Sequence, residues 1–565
     1  MNRRNYIFIA LTALLLLVYA GQRMVAMAAL GTEFAYRDTL INSAGAPVNG
    51  TFDFEFSLYD DLTAGSQIGI TIAQTLDVNG GLFSTSLDFG ADAFNGEERY
   101  LEIALRPIGG GGFTTLTPRR PILPIPYALY AEKVQPVGNV VVVAKSGGDF
   151  TTLGAALASI TTASATNPYL IKIGPGVYQE QVDLKDYVHI EGSGEGVTIL
   201  RGLGGNTHPN TDGSSATLRV TGALNAEVRW LTVESDGAGN DHAIAFWTDG
   251  TTETFRLSHV TATGFDGSDD NYGIFTKASS SMMNSITAVA FGGRHSHGVM
   301  NRSSSPTMVN VVASASGSTN DTRGVYNLDS AAILENVTAS ASGGLRNFGV
   351  VNSNDTSRMN NVTATAFGGD VSYAVFNEIS AATMHNIIAI SEGSVVSVGI
   401  NNSISSSTTM HNVTVTASGG VDGYGISNHD SSPKMTDVSI TAYGGGSTNG
   451  VYNNNASPKM ENVTIDAIGA FIINYGVINV NDSAPTMNDV TVTTFGVSSY
   501  GVYNDGSSSA IRDSAIAGAL DSIHNVNGGS AQIANTMLGG TLFGVGTFTC
   551  VNNYDASFAP IVACP

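Results

Sequence analysis

The residues best suited to chemistry crowd between Asp241 and His297: Asp241-His242, the run Asp266-Gly267-Ser268-Asp269-Asp270, and His295-Ser296-His297. Paired carboxylates serve ester and glycoside chemistry, because one stays charged to attack while the other donates its proton. Asp241, His242, Asp266 and Asp270 are therefore the catalytic candidates if the chain is an enzyme. His295 and His297 could hold a metal from a corner, although such a pair is more often a solvated turn. The 266–270 run has the start of a calcium loop but lacks the downstream Glu of an EF-hand. No cofactor and no metal is expected.

What must position these residues is a repeat. An apolar anchor recurs at Leu257, Met283, Met308, Leu334, Met359, Met384, Met410, Met435, Met460, Met487 and Ile511, at intervals of 24 to 27 residues. A second phrase keeps step, as in Gly324-Val325-Tyr326-Asn327 and Gly450-Val451-Tyr452-Asn453. A fixed period in this range means a solenoid, a propeller or an array. Each unit holds short β-branched runs separated by Gly, Ser and Asn, with no amphipathic helix pattern, so helical repeats are excluded. A four-stranded blade needs about 40 residues. About 25 residues suffice for one coil of short strands, each pairing with its copy one coil away at about 4.8 Å. The fold class expected is all-β: a right-handed parallel β-helix of about 25 residues per coil, preceded by a small β-sandwich-like domain.

Two residues after the anchor stands Asn or Asp: Asn310, Asn336, Asn361, Asn386, Asn412, Asp437, Asn462 and Asp489. These types tolerate left-handed backbone best after Gly, and their amides can bond from coil to coil. An internal structural ladder is expected, with a ligand-binding polar row as the alternative. The methionines are expected to be core filler. The direction of Tyr326, Phe376, Tyr452 and Tyr503 is open; facing outward, they would stack on sugar rings.

A net charge of −22 argues against nucleic acid and anionic membranes as partners, and against polyuronates unless a basic patch forms locally. Residues 1–28 read as a signal peptide: Arg3 and Arg4, an apolar run from Tyr6 to Ala20, then Ala26-Met27-Ala28. The mature protein is expected to be secreted or at the cell surface, with no membrane association after cleavage. Cys550 and Cys564 then form a disulfide that fastens the tail.

Residues 30–134 lack the period. Phe52 to Leu58 alternates apolar and polar residues, and Leu82 to Phe89 and Tyr100 to Leu105 follow suit, which suggests a β-sandwich-like module. Its Pro-rich exit, Pro124 to Ala131, resembles that of N-terminal modules in secreted bacterial repeat proteins. A linker spans 135–139, the β-helix 140–540, and a C-terminal cap 541–565. The β-helix opens with Val140 to Val143 as a buried strand, then a helix carrying Phe150, Leu153, Leu157 and Ile160 on one face, capped by Asp149.

The layout resembles the pectin lyase-like superfamily, and the opening coils resemble pectin methylesterases. Gly148-Asp149-Phe150-Thr151-Thr152 matches their entry, and Gly176-Val177-Tyr178-Gln179-Glu180 their Gly-x-Tyr-x-Glu motif. The resemblance implies a nucleophilic Asp, an acid Asp, glutamines for the oxyanion and an Arg. His242-Ala243-Ile244-Ala245-Phe246 stands where Gln-Ala-Val-Ala-Leu is expected, and Asp270 is the possible acid. One coil later Ala290-Phe291-Gly292-Gly293 offers no nucleophile, and the Leu-Gly-Arg-Pro-Trp motif is missing. The favoured reading is a non-catalytic surface for polysaccharide or cell-surface glycan. The alternatives are a pectin methylesterase-like or lyase-like enzyme and a passive structural adhesin.

Overall fold

A computed structural model describes residues 34–40, 47–90, 93, 99–122, 139–496, 498–561 and 564. The expected signal peptide, the Pro-rich exit and the linker up to residue 138 lie outside them. The chain forms two compact units, 1–136 and 137–565. Among the described residues no helix is long and apolar enough to cross a membrane.

In the first unit, Gly50–Tyr59 pairs antiparallel with Gln67–Val78 and with Arg99–Pro107. A two-stranded sheet, Phe34–Thr39 with Leu82–Leu87, lies across from it. Both sheets supply one core, where Phe54 and Phe56 from one meet Phe83 and Leu87 from the other. The alternation seen in Phe52 to Leu58 puts Phe54, Phe56 and Leu58 in that core, as period-2 patterning requires.

The second unit is a β-solenoid of about 14 turns with about 25 residues per turn. Each regular coil gives one long strand, such as Met282–Phe291 or Thr307–Ser316, and one short strand, such as His295–Arg302 or Asp321–Leu328. Long strands stack in a 24-stranded sheet and short ones in a 15-stranded sheet. The anchor residues are true register partners: Met283 faces Met308, which faces Leu334, and so on to Met487 and Ile511. All are buried, so the methionines fill the core.

The Asn and Asp column is the corner in mid-strand. Asn310, Asn336, Asn361, Asn386, Asn412, Asp437, Asn462 and Asp489 all have φ between 53° and 55°. Trp230, His259 and Ser285 hold the same corner in the opening coils. The expectation of an internal ladder needs correcting, because these side chains are exposed or half-exposed. They still bond coil to coil, Asn361 Nδ2 donating to Asn336 Oδ1 at 3.0 Å and Asn386 to Asn361 at 3.0 Å. The backbone turns at this residue, which throws its side chain to the solvent side of the bend.

The internal ladder is a different column, the Asn that closes the second phrase. Asn301, Asn327, Asn352, Asn377, Asn402, Asn428, Asn453, Asn479, Asn504 and Asn525 are fully buried. Each Nδ2 donates to the next Oδ1, for example at 2.8 Å from Asn402 to Asn428 and from Asn453 to Asn479. Thr276 closes the row at one end, donating to Asn301, and the Thr547 carbonyl accepts from Asn525 at the other. No amide in the row is left with an orphaned donor, which is what makes a polar column tolerable inside an apolar core. The Gly of the same phrase lets coils approach: a Cβ on Gly425 would lie 2.2 Å from Ile440 and 2.5 Å from the Gly450 carbonyl.

At the start, the strand Asn139–Val143 is only half inside: Val143 is buried, while Val140 and Val142 are exposed. The helix is short, Leu153–Ser159, and its cap is Thr152, not Asp149. Asp149 instead accepts from the Val142 amide at 2.8 Å. Glu180 supplies the rest of the cap, accepting from the Leu153 and Gly154 amides at 2.6 and 2.7 Å. The Gly-x-Tyr-x-Glu motif is thus architectural, its acid spent on a helix N-terminus. At the other end the stack runs past residue 540: Thr547–Val551 still pairs parallel with Ser530–Ala534. The antiparallel pairing of Asn553–Asp555 with Pro560–Ile561 closes it. Cys550 and Cys564 are disulfide-bonded, with Cα atoms 6.0 Å apart.

Candidate functional site

The short strands carry the chemistry on their outer face. Val299, Val325 and Val350 point into the core. Side chains three residues before and one before the Gly of the second phrase (Gly324, for example) face outward by alternation. The strand breaks that alternation at the Gly, where Val325 also points inward, so the residue two after faces outward as well. Parallel register therefore stacks outward residues in columns. The column three before the Gly reads His242, Asp270, His295, Asp321, Arg346 over five successive coils. The next reads Ile244, Tyr272, His297, Arg323, Phe348, Tyr373.

Among the sequence candidates, the structure brings His242 and Asp270 together and leaves Asp241 and Asp266 apart. Asp241 and Asp266 are exposed turn residues; Asp266 has φ 60°, and the Asp241 carbonyl accepts from the Asp269 amide at 2.8 Å. His242 Nδ1 lies 3.6 Å from Asp270 Oδ2. His208, from the loop 204–215, places Nε2 3.5 Å from the same oxygen. The loop is held down by Trp247, whose indole donates to the Pro209 carbonyl at 2.9 Å. Below it, Ala216, Ile244, Trp247, Tyr272, Phe275 and Met300 form a small apolar cluster of their own.

Electrostatics set the protonation states. Burial pushes the Asp270 carboxyl up, and neighbouring Asp269 pushes it further. The same burial pulls His208 and His295 down, against the opposing pull of Asp270. His297 is driven well down by burial and by the Arg323 guanidinium, so it is a neutral imidazole. Tyr272, hydrogen-bonded to Asp270, is pushed well up by burial.

Asp321 is held differently. Arg346 binds it through two bonds, Nε to Oδ1 at 2.7 Å and Nη2 to Oδ2 at 2.9 Å, and Arg323 adds a third at 2.6 Å. This bidentate grip holds the carboxylate in place between two strands. The column also corrects the position assigned to the missing nucleophile. The residue one coil beyond Asp270 is His295; Ala290 to Gly293 close the preceding long strand and its turn. The absence of an acid there stands, for a different residue. Asp321, the next carboxylate, is two coils from Asp270, about 9.6 Å at about 4.8 Å per coil.

His208, His295, Asp321, Arg323 and Arg346 were not singled out as one site from sequence. The signal was present: each of the last four precedes its phrase Gly by one or three residues. His208 had no such marker, because its loop interrupts the period.

Farther along, the same outward columns turn aromatic. Phe348 and Tyr373 stack at 5.3 Å, Tyr475 and Tyr500 at 5.5 Å, Tyr503 and His524 at 5.3 Å. Tyr326, Phe376, Tyr452 and Tyr503 are half-buried on the outer face, which settles their direction as outward.

Residues 139–271 match the family model Pectinesterase, and residues 36–119 match Domain of unknown function (DUF8740). The solenoid is a parallel β-helix whose opening coils are similar to the Pectinesterase family. The β-helix is similar to pectin methylesterase from carrot at 15% identity, covering 45% of this chain and 83% of that one, with a TM-score of 0.33. It is similar to pectin methylesterase PemA from Erwinia chrysanthemi at 13% identity, 43% and 90% coverage, and a TM-score of 0.29. The A-module of the Azotobacter vinelandii mannuronan C-5 epimerase AlgE6 gives 16% identity, 71% and 94% coverage, and a TM-score of 0.29. No curated protein matches the chain. Such identities and scores transfer no chemistry to this β-helix.

Proposed function

We propose that this protein acts outside the cytoplasm as a polysaccharide-binding β-helix, without pectin methylesterase catalysis. The observation that carries the reading is a set of ring pairs on adjacent coils along two outward columns, Phe348 with Tyr373 and Tyr475 with Tyr500 in one, Tyr503 with His524 and His524 with Phe543 in the other, with ring centroids 5.2 to 5.5 Å apart. Aromatic faces on a rigid sheet bury the apolar faces of sugar rings, while Tyr hydroxyls bond their rims. The net charge of −22 favours a neutral polysaccharide. The esterase mechanism lacks support because the coil beyond Asp270 presents His295, and Asp321 is tied to two arginines.

A second reading, a carbohydrate-active enzyme, draws on the raised Asp270 carboxyl, since perturbed acids concentrate at functional sites. A glycan array run beside a methanol-release assay on methylated pectin separates them. Binding without methanol release is expected. Methanol release that is lost in Asp270→Ala would overturn the proposal in favour of the enzyme. Absence of both activities would favour a passive structural adhesin.

A further inference from the structure

We propose that His242, Asp269 and Asp270, completed by His208, form a binding site for a divalent transition-metal ion of the zinc class. The ligand atoms of His242, Asp269 and Asp270 all lie within 4.8 Å of one another. The two imidazole nitrogens stand 3.5 and 3.6 Å from one oxygen, Asp270 Oδ2. Those separations are long for hydrogen bonds. Each fits one edge of a tetrahedron, since bonds of about 2.0–2.1 Å to a central zinc set neighbouring ligands about 3.3–3.4 Å apart. Only His242, Asp269 and Asp270 already lie within 4.8 Å of one another, so His208 completes the set by moving inward on its loop.

The unpartnered atoms point the same way. His242 is 5% exposed, and its Nδ1 is buried without a hydrogen-bond partner. Asp269 Oδ1 is likewise buried without one; its nearest cation, Arg294 Nη1, is 3.5 Å away. Buried polar atoms are ordinarily satisfied, so the orphaned His242 Nδ1, 3.6 Å from Asp270 Oδ2, calls for a ligand. The donor set names its class. Two imidazole nitrogens suit zinc and its neighbours, whereas calcium and magnesium take oxygen cages. Two carboxylates balance the double positive charge.

Placement is rigid where it must be. Parallel register puts His242 and Asp270 side by side on adjacent strands, and Asp269 is the residue before. His208 arrives on the loop 204–215 and is half-exposed, which leaves a way in for the ion. The bound ion would tie that loop to the sheet.

The test uses the full chain, stripped with a chelator and titrated with zinc chloride by calorimetry, with cobalt absorption as the reporter of tetrahedral geometry. One equivalent is expected to bind at micromolar affinity or tighter. His242→Ala and Asp270→Asn are each expected to weaken binding at least ~100-fold, and His208→Ala ~10-fold. His208 sits on a loop, so its variant reports on the site even where a sheet variant misfolds. The exposed stacked pair His385 and His411, 5.0 Å apart, is the control for adventitious binding. A wild type that binds no zinc would overturn the proposal, as would full binding by the His242→Ala, Asp270→Asn double variant. Binding lost in His385→Ala, His411→Ala would assign the metal to the surface and overturn it equally.

Discussion

The coils from His242 to Arg346 and those from Val371 to Phe543 rest on the same inner columns. Val299 and Ile400 occupy equivalent core positions, and Asn301 and Asn402 belong to one buried amide row. Outside they diverge. The first set shows His, Asp and Arg in the leading outward column, partly roofed by the loop 204–215. In the second set that column turns to Val371 and Val396, and its neighbours carry aromatic pairs such as Tyr373 with Phe376 and Tyr475 with Tyr503. The inner face of a solenoid must satisfy the coils on either side, so it repeats. The outer face answers only to solvent and ligand, so it is free to change within a single coil.

Breaking the shared inner row gives the largest effect. Asn402→Leu takes the acceptor from Asn377 Nδ2 and the donor from Asn428 Oδ1, both buried, and Thr408 loses its acceptor. About 3–5 kcal/mol of stability should be lost, read from the urea midpoint. Asn301→Leu in the charged coils should cost a similar amount; a large gap between the two would show that the inner row is not common to both regions.

A second experiment probes an exception inside the repeat. Asp355 occupies a corner taken by Ser330, Ser380, Ser406 and Ser431 in other coils. Burial raises its carboxyl to about 6, against the opposing hydrogen bonds from Ser357. The folded state therefore holds the proton more tightly than the unfolded chain. Its contribution to stability, about 3 kcal/mol, is full below about pH 4, is lost as pH rises through about 6, and is level above that. Asp355→Ser should flatten that slope in thermal melts across the range; an unchanged slope would place the titrating group elsewhere.

The outer faces should respond more weakly. Asp321→Asn weakens the grip of Arg323 and Arg346 and should cost about 1–3 kcal/mol, an effect that shrinks with salt. Tyr475→Ala with Tyr500→Ala should change stability by about 2 kcal/mol or less while reducing polysaccharide affinity about tenfold, measured by affinity electrophoresis. Equal losses from Asp321→Asn in that assay would mean the two outer faces bind as one surface. Least of all, Asn412→Ala at an exposed corner should cost about 0.5–1 kcal/mol, against several for Asn402.

The sequence by itself determined the coil. Anchors at a period near 25 fix which strands stack, because a one-residue slip would turn every core methionine outward. It also determined the corner asparagines and the cysteine pair. It did not determine which asparagine row lies inside: both rows share the period, and only the backbone bend at Asn310 and its copies sends one outward. Nor did it assemble the site. His208, His242 and Asp270 are separated by 34 and 28 residues along the chain, and their meeting depends on parallel register and on an irregular loop folding back over Trp247. Local propensity and periodicity act through near neighbours and repeats, whereas a cluster drawn from a loop and two coils exists only once the coils have closed.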